Sequence, residues 1–369
     1  MKGSFSDELA RFGDFDFPSF LERARGEDVG RVLLKETLNE LDFLTLLSPA
    51  ATEYLEPMAR RARATTLAHF GRVISLYTPL YISNYCENEC LYCGFRQSNP
   101  MQRRKLPLRK IELEAQEIAK SGIRHVLLLT GESRVVSPVS YIGEALQTLT
   151  RHFTSVSIEI YPLEESEYAS LIADGADGLT LYQETYDRDL YGALHPSGPK
   201  SDYRYRLDAP QRAAEARMRQ VNIGALLGLG AFPKDVFFMG LHGRWLQNNY
   251  PGIELGVSFP RIQPQAGGFI CANPLTDREL VQSLVAVRLF LPQAGITIST
   301  RENGALRKNL IGLGVTRMSA GSRTQVGGYA LGANEEGQFE IADTSSVREV
   351  REMIERRGYQ PVCKDWQAL

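Results

Sequence analysis

Apolar residues along this chain come in short runs with little polar alternation, separated by longer stretches of mixed character. Eight such runs recur: "VISLYTPLYIS" (73–83), "HVLLLT" (125–130), "SVSIEIY" (155–161), "GLTLYQE" (178–184), "VNIGALLGLG" (221–230), "ELGVSFP" (254–260), "ITIST" (296–300) and "VTRMSAG" (315–321). Their length and β-branched content predict strands covered on both faces. Between them the apolar period changes. In 109–122, Ile111, Ala115, Ile118 and Ala119 fall at i, i+4, i+7 and i+8, and Gly122 supplies a stop, as in an amphipathic helix. The same spacing predicts helices at about 138–150, 163–174, 209–219, 235–249, 276–291, 303–311 and 346–357. Eight strands alternating with eight helices predict an α/β protein built as a (β/α)8 TIM-type barrel over 73–357, with an open doubly wound sheet as the alternative. Helical patterns before residue 73 predict an α-helical N-terminal extension, 1–72, that packs on or plugs the barrel. Residues 358–369 read as a short tail.

Composition adds boundaries to this picture. With 43% hydrophobic and 23% charged residues and a net charge of −2, the 369-residue chain has the makeup of a globular protein, not of a dedicated nucleic-acid binder. The N-terminus lacks a basic start followed by an apolar run, and no apolar stretch reaches the roughly 18 residues of a membrane span. A cytoplasmic protein is expected. In a reducing compartment, clustered cysteines favour metal or redox chemistry over structural disulfides; Cys271 and Cys363 stand apart and read as packing residues.

A barrel of this kind carries its chemistry at the C-terminal strand ends. The first run is followed by "YCENECLYCGF", with Cys86, Cys90 and Cys93 in eight positions. The second is followed by "TGE" (Thr130, Gly131, Glu132). The third contains Glu159; the fourth ends in Gln183 and Glu184, the sixth in Arg261 and Gln263, the seventh in Arg301 and Glu302, and the eighth in Ser319, Ser322 and Arg323. Three adjacent thiolates repel one another unless a metal neutralises them. Structural zinc takes four protein ligands, and no histidine lies nearby in a ligand spacing. An iron–sulfur cluster on three cysteines leaves one iron for another ligand.

The spacing Cys-x3-Cys-x-aromatic-Cys, as Cys86, Cys90, Tyr92 and Cys93, resembles the signature of the radical S-adenosylmethionine (SAM) enzymes. The stretches "LYISNYCENECLYCGFRQSN", "STRE", "SAGSRTQVGGYA" and "QPVCKDW" together resemble the 2-iminoacetate synthases, the tyrosine lyases of bacterial thiazole biosynthesis. That resemblance implies a 4Fe-4S cluster on Cys86, Cys90 and Cys93 whose unique iron chelates SAM. It also implies reductive cleavage to a 5′-deoxyadenosyl radical and scission of the Cα–Cβ bond of L-tyrosine to p-cresol and 2-iminoacetate (dehydroglycine). It further implies SAM contacts from Gly131 and Glu132 (methionine amino group), Glu184, Arg206 (carboxylate), Glu159 (ribose) and Tyr92 (adenine). Arg301 is the choice for the tyrosine carboxylate; Ser319 and Ser322 could add hydroxyls, and Arg323 is the rival arginine. The implied partners are thiazole synthase and a flavodoxin or ferredoxin reductant. Alternatives are a tryptophan lyase of the same group, the tyrosine lyase of hydrogenase maturation, which carries further cysteines for a second cluster, and a zinc-binding scaffold protein. After Cys93 only Cys271 and Cys363 remain, so no ligands for a second cluster are expected.

Overall fold

The computed structural model describes residues 3–333 and 336–364. Strands β1 (Val73–Ser83), β2 (His125–Thr130), β3 (Ser155–Glu159), β4 (Gly178–Glu184), β5 (Gln220–Ala225), β6 (Glu254–Ser258), β7 (Gly295–Ile298) and β8 (Arg317–Ser319) pair in sequence order, and β1 pairs with both β8 and β2. The sheet therefore closes, and the open alternative is excluded. Every pairing is parallel, which requires a crossover after each strand.

The crossovers are helical. Helix α6 (Leu108–Lys120) follows β1, α7 (Val139–Leu149) follows β2 and α8 (Glu165–Ala173) follows β3; α12 (Phe232–Asn249), α13 (Asp277–Phe290), α14 (Gly304–Leu310) and α15 (Val347–Arg356) follow β5 to β8. Local chemistry sets several ends. Thr276 with Glu279 and Ser346 with Glu349 form reciprocal caps at the starts of α13 and α15, satisfying backbone donors that a helix start leaves free. Gly122 ends the α6 segment at φ 89°, a conformation that costs a residue with a Cβ.

Two features depart from the sequence reading. Between β4 and β5, where one helix at 209–219 was expected, the chain forms α9 (Arg188–Leu194), a 3-10 turn (Pro199–Ser201), α10 (Tyr203–Leu207) and α11 (Ala209–Glu215). The tail also contains β9 (Gln360–Val362), paired in parallel with Val73–Ser75 of β1. Asp365 and Trp366 of "KDW" lie outside the described residues.

The N-terminal segment, α1 (Phe5–Ala10), α2 (Phe17–Arg23), α3 (Gly26–Val32), α4 (Glu40–Leu46) and α5 (Leu55–Phe70), packs on the barrel's flank against α12 and α13. Phe43 stacks on Phe290 at 4.2 Å between centroids, and Phe5 stacks on His242 at 4.2 Å. Gly240 permits this approach: a Cβ there would stand 2.3 Å from the Phe43 ring.

The lumen is polar. His125 Nε2 meets Ser157 Oγ at 2.9 Å, and Asn222 Nδ2 donates to Ser258 Oγ at 2.8 Å. The inward positions of β3 and β5 are Ser155, Ser157 and Glu159, and Gln220 and Asn222, so these strands do alternate. Their apolar neighbours, such as Val156 and Ile158, are buried under helices, which is why the runs read as nearly continuous.

Candidate active site

At the C-terminal end of the barrel one cavity is walled by all three cysteines of the β1 loop, by Gly131 and Glu132 after β2, by Glu159 of β3, by Glu184 of β4 and by Arg206 of α10. Sequence reasoning thus named eight residues that the fold brings together from five segments. Gly131 is held by geometry. Its N–H donates to the Ser83 carbonyl at 2.8 Å, and a Cβ at this position would lie 2.3 Å from the Tyr85 carbonyl oxygen. Only glycine lets the loop after β2 run this close to the cysteine loop.

Burial pushes the Cys86 thiol up, and the neighbouring Cys93 adds to it; burial also pushes Cys90 up, against the pull of Lys200. Such thiols ionise readily only against added positive charge, which a metal core supplies. Amide nitrogens approach two of the sulfurs: Asn88 Nδ2 is 3.7 Å from Cys86 Sγ and Gln338 Nε2 is 3.7 Å from Cys93 Sγ. Donors to ligand sulfur are the outer-shell support an iron–sulfur cluster takes. Among the described residues no group of three or more His, Cys, Asp or Glu could hold a single metal ion. A cluster instead takes each thiolate on a different iron, so its cysteines stand apart. The donor set fits a cluster, and among the described residues a four-ligand zinc site finds no fourth member.

The acidic and basic groups are coupled. Glu184 adopts φ 72°, a strained backbone for a residue with a side chain, at a register shift between Tyr182 and Glu184 in the pairing of β4 with β5. Its Oε1 accepts from Lys200 Nζ at 2.5 Å and from Arg206 Nη2 at 3.4 Å. Burial opposes ionisation of Glu184, but Lys200 and Arg206 outweigh it and hold the carboxyl below its ordinary value. Glu132 accepts from Asn88 Nδ2 at 2.8 Å. Glu159 lacks so tight a partner; burial pushes its carboxyl up to about 7, although Arg301 pulls the other way.

Tyr92 stands beside the cavity. Its hydroxyl lies 2.7 Å from His195 Nε2, while His195 Nδ1 lies 2.7 Å from the Tyr191 carbonyl. A carbonyl only accepts, so Nδ1 carries the proton and Nε2 accepts from Tyr92. Burial lowers His195 to about 3, so the ring is neutral at ordinary pH.

The four residues expected at the substrate separate. Arg301 lies with its guanidinium 3.5 Å from the Phe339 ring centroid and donates to the Arg261 carbonyl at 3.3 Å; its charge reaches Glu159 and Tyr81 in the cavity. The adjacent Glu302 is taken by Arg261 at 2.9 Å. Ser319 Oγ accepts from the Thr300 N–H at 3.0 Å. Ser322 and Arg323 line another cavity, together with Glu117 of α6 and Ser121 just beyond its end. For these two the expectation is revised: beyond Ser319 the chain turns at Gly321, φ 59°, and leaves the strand line. Sequence reasoning missed Lys200, Asn88, His195 and Gln338. Lys200 and His195 sit in "HPSGPK", a Gly/Pro stretch without periodicity, and Gln338 arrives on the loop after β8; its Oε1 accepts from Tyr81 at 2.8 Å.

Comparison with known proteins settles the family. Residues 80–237 match the radical SAM superfamily, and residues 258–360 match the biotin and thiamin synthesis associated domain. The chain is 40% identical over 340 residues to the 2-iminoacetate synthase of Salmonella typhimurium, covering 92% of this chain and 90% of that protein. It is 39% identical to the 2-iminoacetate synthase of Escherichia coli, over 98% and 97%. The chain belongs to the 2-iminoacetate synthase family. It is a radical SAM lyase, and its cofactors are a 4Fe-4S cluster and SAM. The fold extends further: the FeFe-hydrogenase maturase HydG of Carboxydothermus hydrogenoformans superposes with a TM-score of 0.90 at 28% identity, covering 98% of this chain and 85% of the maturase. Both matched stretches fall on this single closed barrel, the first running from within β1 through β5 and the second from the last residue of β6 through β8. No helix among the described residues is long and apolar enough to cross a membrane.

Proposed function

We propose that this chain cleaves the Cα–Cβ bond of L-tyrosine to 2-iminoacetate and p-cresol, converting SAM to 5′-deoxyadenosine and methionine, and so supplies the thiazole moiety of thiamine. The observation that carries this reading is near-full-length identity of about two residues in five to two 2-iminoacetate synthases. In this reading Cys86, Cys90 and Cys93 hold the cluster, which with SAM supplies the 5′-deoxyadenosyl radical.

The remaining roles follow from charge. SAM and tyrosine both present a zwitterionic amino-acid end, and a buried zwitterion needs an anion near its ammonium and a cation near its carboxylate. Glu132, fixed by Asn88, and the backbone at Gly131 face the SAM ammonium. Arg206 and Lys200 share the single carboxylate of Glu184 and so retain positive charge for the SAM carboxylate. Glu159 meets the ribose hydroxyls, and Tyr92, held by His195, sits by the adenine. Arg301 receives the tyrosine carboxylate; its guanidinium is pre-positioned against Phe339 and left unpaired by Glu302, which suits bidentate recognition. Ser319 supports β7 and β8 beneath it. Gln338 bridges Tyr81 and Cys93 and closes the cavity on the side of the β8 loop, where exclusion of water protects a hydrolysable imine.

In the same reading residues 1–72 are an extension, 73–357 the catalytic barrel and 358–369 a tail. Tyrosine is the substrate, thiazole synthase the receiver of 2-iminoacetate, and a flavodoxin or ferredoxin the electron source. Anaerobic reconstitution with SAM, reductant and tyrosine tests it: p-cresol is expected, and an indolic product from tryptophan instead would reassign the substrate.

A further inference from the structure

The segment after the cysteines breaks a local rule. From Tyr85 to Lys110 six residues are basic and two acidic, a formal charge of +4 in a chain whose net charge is −2. Some of this charge is structural: Arg103 donates to the carbonyls of Asn84, Phe95, Arg96 and Gln97, tying both ends of the cysteine loop together. Arg96 lies 3.6 Å from Glu89. Arg109 and Lys110 differ. They are exposed, form no ion pair among the described residues, and occupy the first turn of α6, which has no acid there.

The positive end of a helix dipole disfavours cations, and three other helices of the barrel carry acids at that end. The first turns of α8, α13 and α15 carry Glu165 and Glu167, Asp277 and Glu279, and Glu349. At the start of α6 no such acid offsets Arg109 and Lys110. Apolar surface lies beside them. Leu113, one turn on from Arg109, is 40% exposed, and Val135 is 84% exposed on the loop after β2. Lys105 joins the two regions through a 2.5 Å bond to the Val136 carbonyl. The same strip borders the cluster loop, since Lys105 bridges to Ser83 and the Asn84 N–H donates to the Arg104 carbonyl at 3.1 Å. An apolar centre with a charged rim is the anatomy of a transient protein interface.

We propose that Lys105, Arg109, Lys110, Leu113 and Val135 form the docking surface for an acidic, low-potential one-electron carrier protein that reduces the cluster. This rests on the lyase reading, which requires an external electron. In the step, the carrier loses one electron and the cluster gains it; no bond is made or broken. Charge complementarity raises the encounter rate and is screened by salt.

The test uses the full chain, anaerobically reconstituted, with flavodoxin as the probe. Its Kd is measured by titration at low and high ionic strength, and cluster reduction is followed by absorbance. Arg109→Glu with Lys110→Glu is the variant, and acids in a first turn favour the helix, so folding is preserved. Flavodoxin binding should weaken by about tenfold or more, with a flatter salt dependence. Flavodoxin-driven reduction should slow in parallel, while reduction by photoreduced deazaflavin and the ensuing p-cresol yield stay at the parent level. Arg109→Lys with Lys110→Arg should restore binding. A doubly acidic variant that binds flavodoxin as tightly as the parent overturns the proposal, as does loss of thiazole synthase association with flavodoxin binding intact. Absence of p-cresol from the parent under chemical reduction would count against the lyase reading instead, whatever the Kd.

Discussion

Two buried carboxylates in this barrel meet arginine in different ways. Asp343 takes one guanidinium, that of Arg307, whose other edge donates to the Ser319 carbonyl; the two side chains are 4% and 0% exposed. Glu184 faces two cations, Lys200 and Arg206, at 13% and 8% exposure, on the wall of a cavity and on strained backbone. Burial is similar, so burial does not separate them. Stoichiometry does. A closed one-to-one pair has satisfied its charges, whereas one carboxylate between two cations leaves positive charge for an incoming anion. Arg261, held by both Glu302 and Asp277, likewise has no charge to spare, whereas Arg301 beside it keeps its charge for an incoming anion.

The comparison can be broken at several points. The largest effect is expected from Cys90→Ala, which removes one of three cluster thiolates: iron and sulfide content, cluster absorbance and deoxyadenosine formation should all be lost while the circular dichroism of the barrel persists. Next, Glu184→Gln and Asp343→Asn each leave a buried cation without its anion, and each should cost about 3–5 kcal/mol in denaturant unfolding. Only Glu184→Gln should also abolish SAM binding in calorimetric titration. Equal SAM affinity in the two variants would erase the distinction between the pairs.

Arg301→Ala should spare the cluster and SAM cleavage while weakening tyrosine by about 1.5–3 kcal/mol, measured as the shift in half-saturating tyrosine. The effect that is smallest at neutral pH concerns acid. Burial holds His242 near 3 against an ordinary 6.5, so its contribution to stability is present above pH 6.5 and is lost as the pH falls toward 3. One such group gives a slope of at most about 1.4 kcal/mol per pH unit. His242→Phe, which keeps the stack on Phe5, should flatten the acid limb of the stability profile by that much. Glu159 runs oppositely: raised to about 7 from 4.5, it favours the fold below 4.5 and withdraws that contribution as pH rises through 7.

Much of this was legible in the sequence where one physical cause dominates. The runs at 73–83, 125–130 and 178–184 match β1, β2 and β4 to the residue, because consecutive buried aliphatics leave few other options. The cysteine loop, Glu132, Glu159 and Glu184 were visible as polar groups at or beyond the ends of apolar runs, Arg206 only through the family resemblance, and the fold collects them in one cavity. What stayed hidden has no local period. Lys200 approaches Glu184 on a 3-10 turn punctuated by Pro196, Gly198 and Pro199, and Gln338 reaches Cys93 across 245 residues of chain. Ser322 and Arg323 line a different cavity from the cysteines, since position after a strand says nothing of the turn at Gly321. The strip at Arg109 and Lys110 was present as bare charge, and acquires meaning only once the helix start and the neighbouring cysteine loop are known.

The most direct measurement of the central claim is product identification. Anaerobically reconstituted protein, given SAM, chemical reductant and L-tyrosine, should release p-cresol and 5′-deoxyadenosine together, with glyoxylate from hydrolysed 2-iminoacetate. Deoxyadenosine without p-cresol would contradict it.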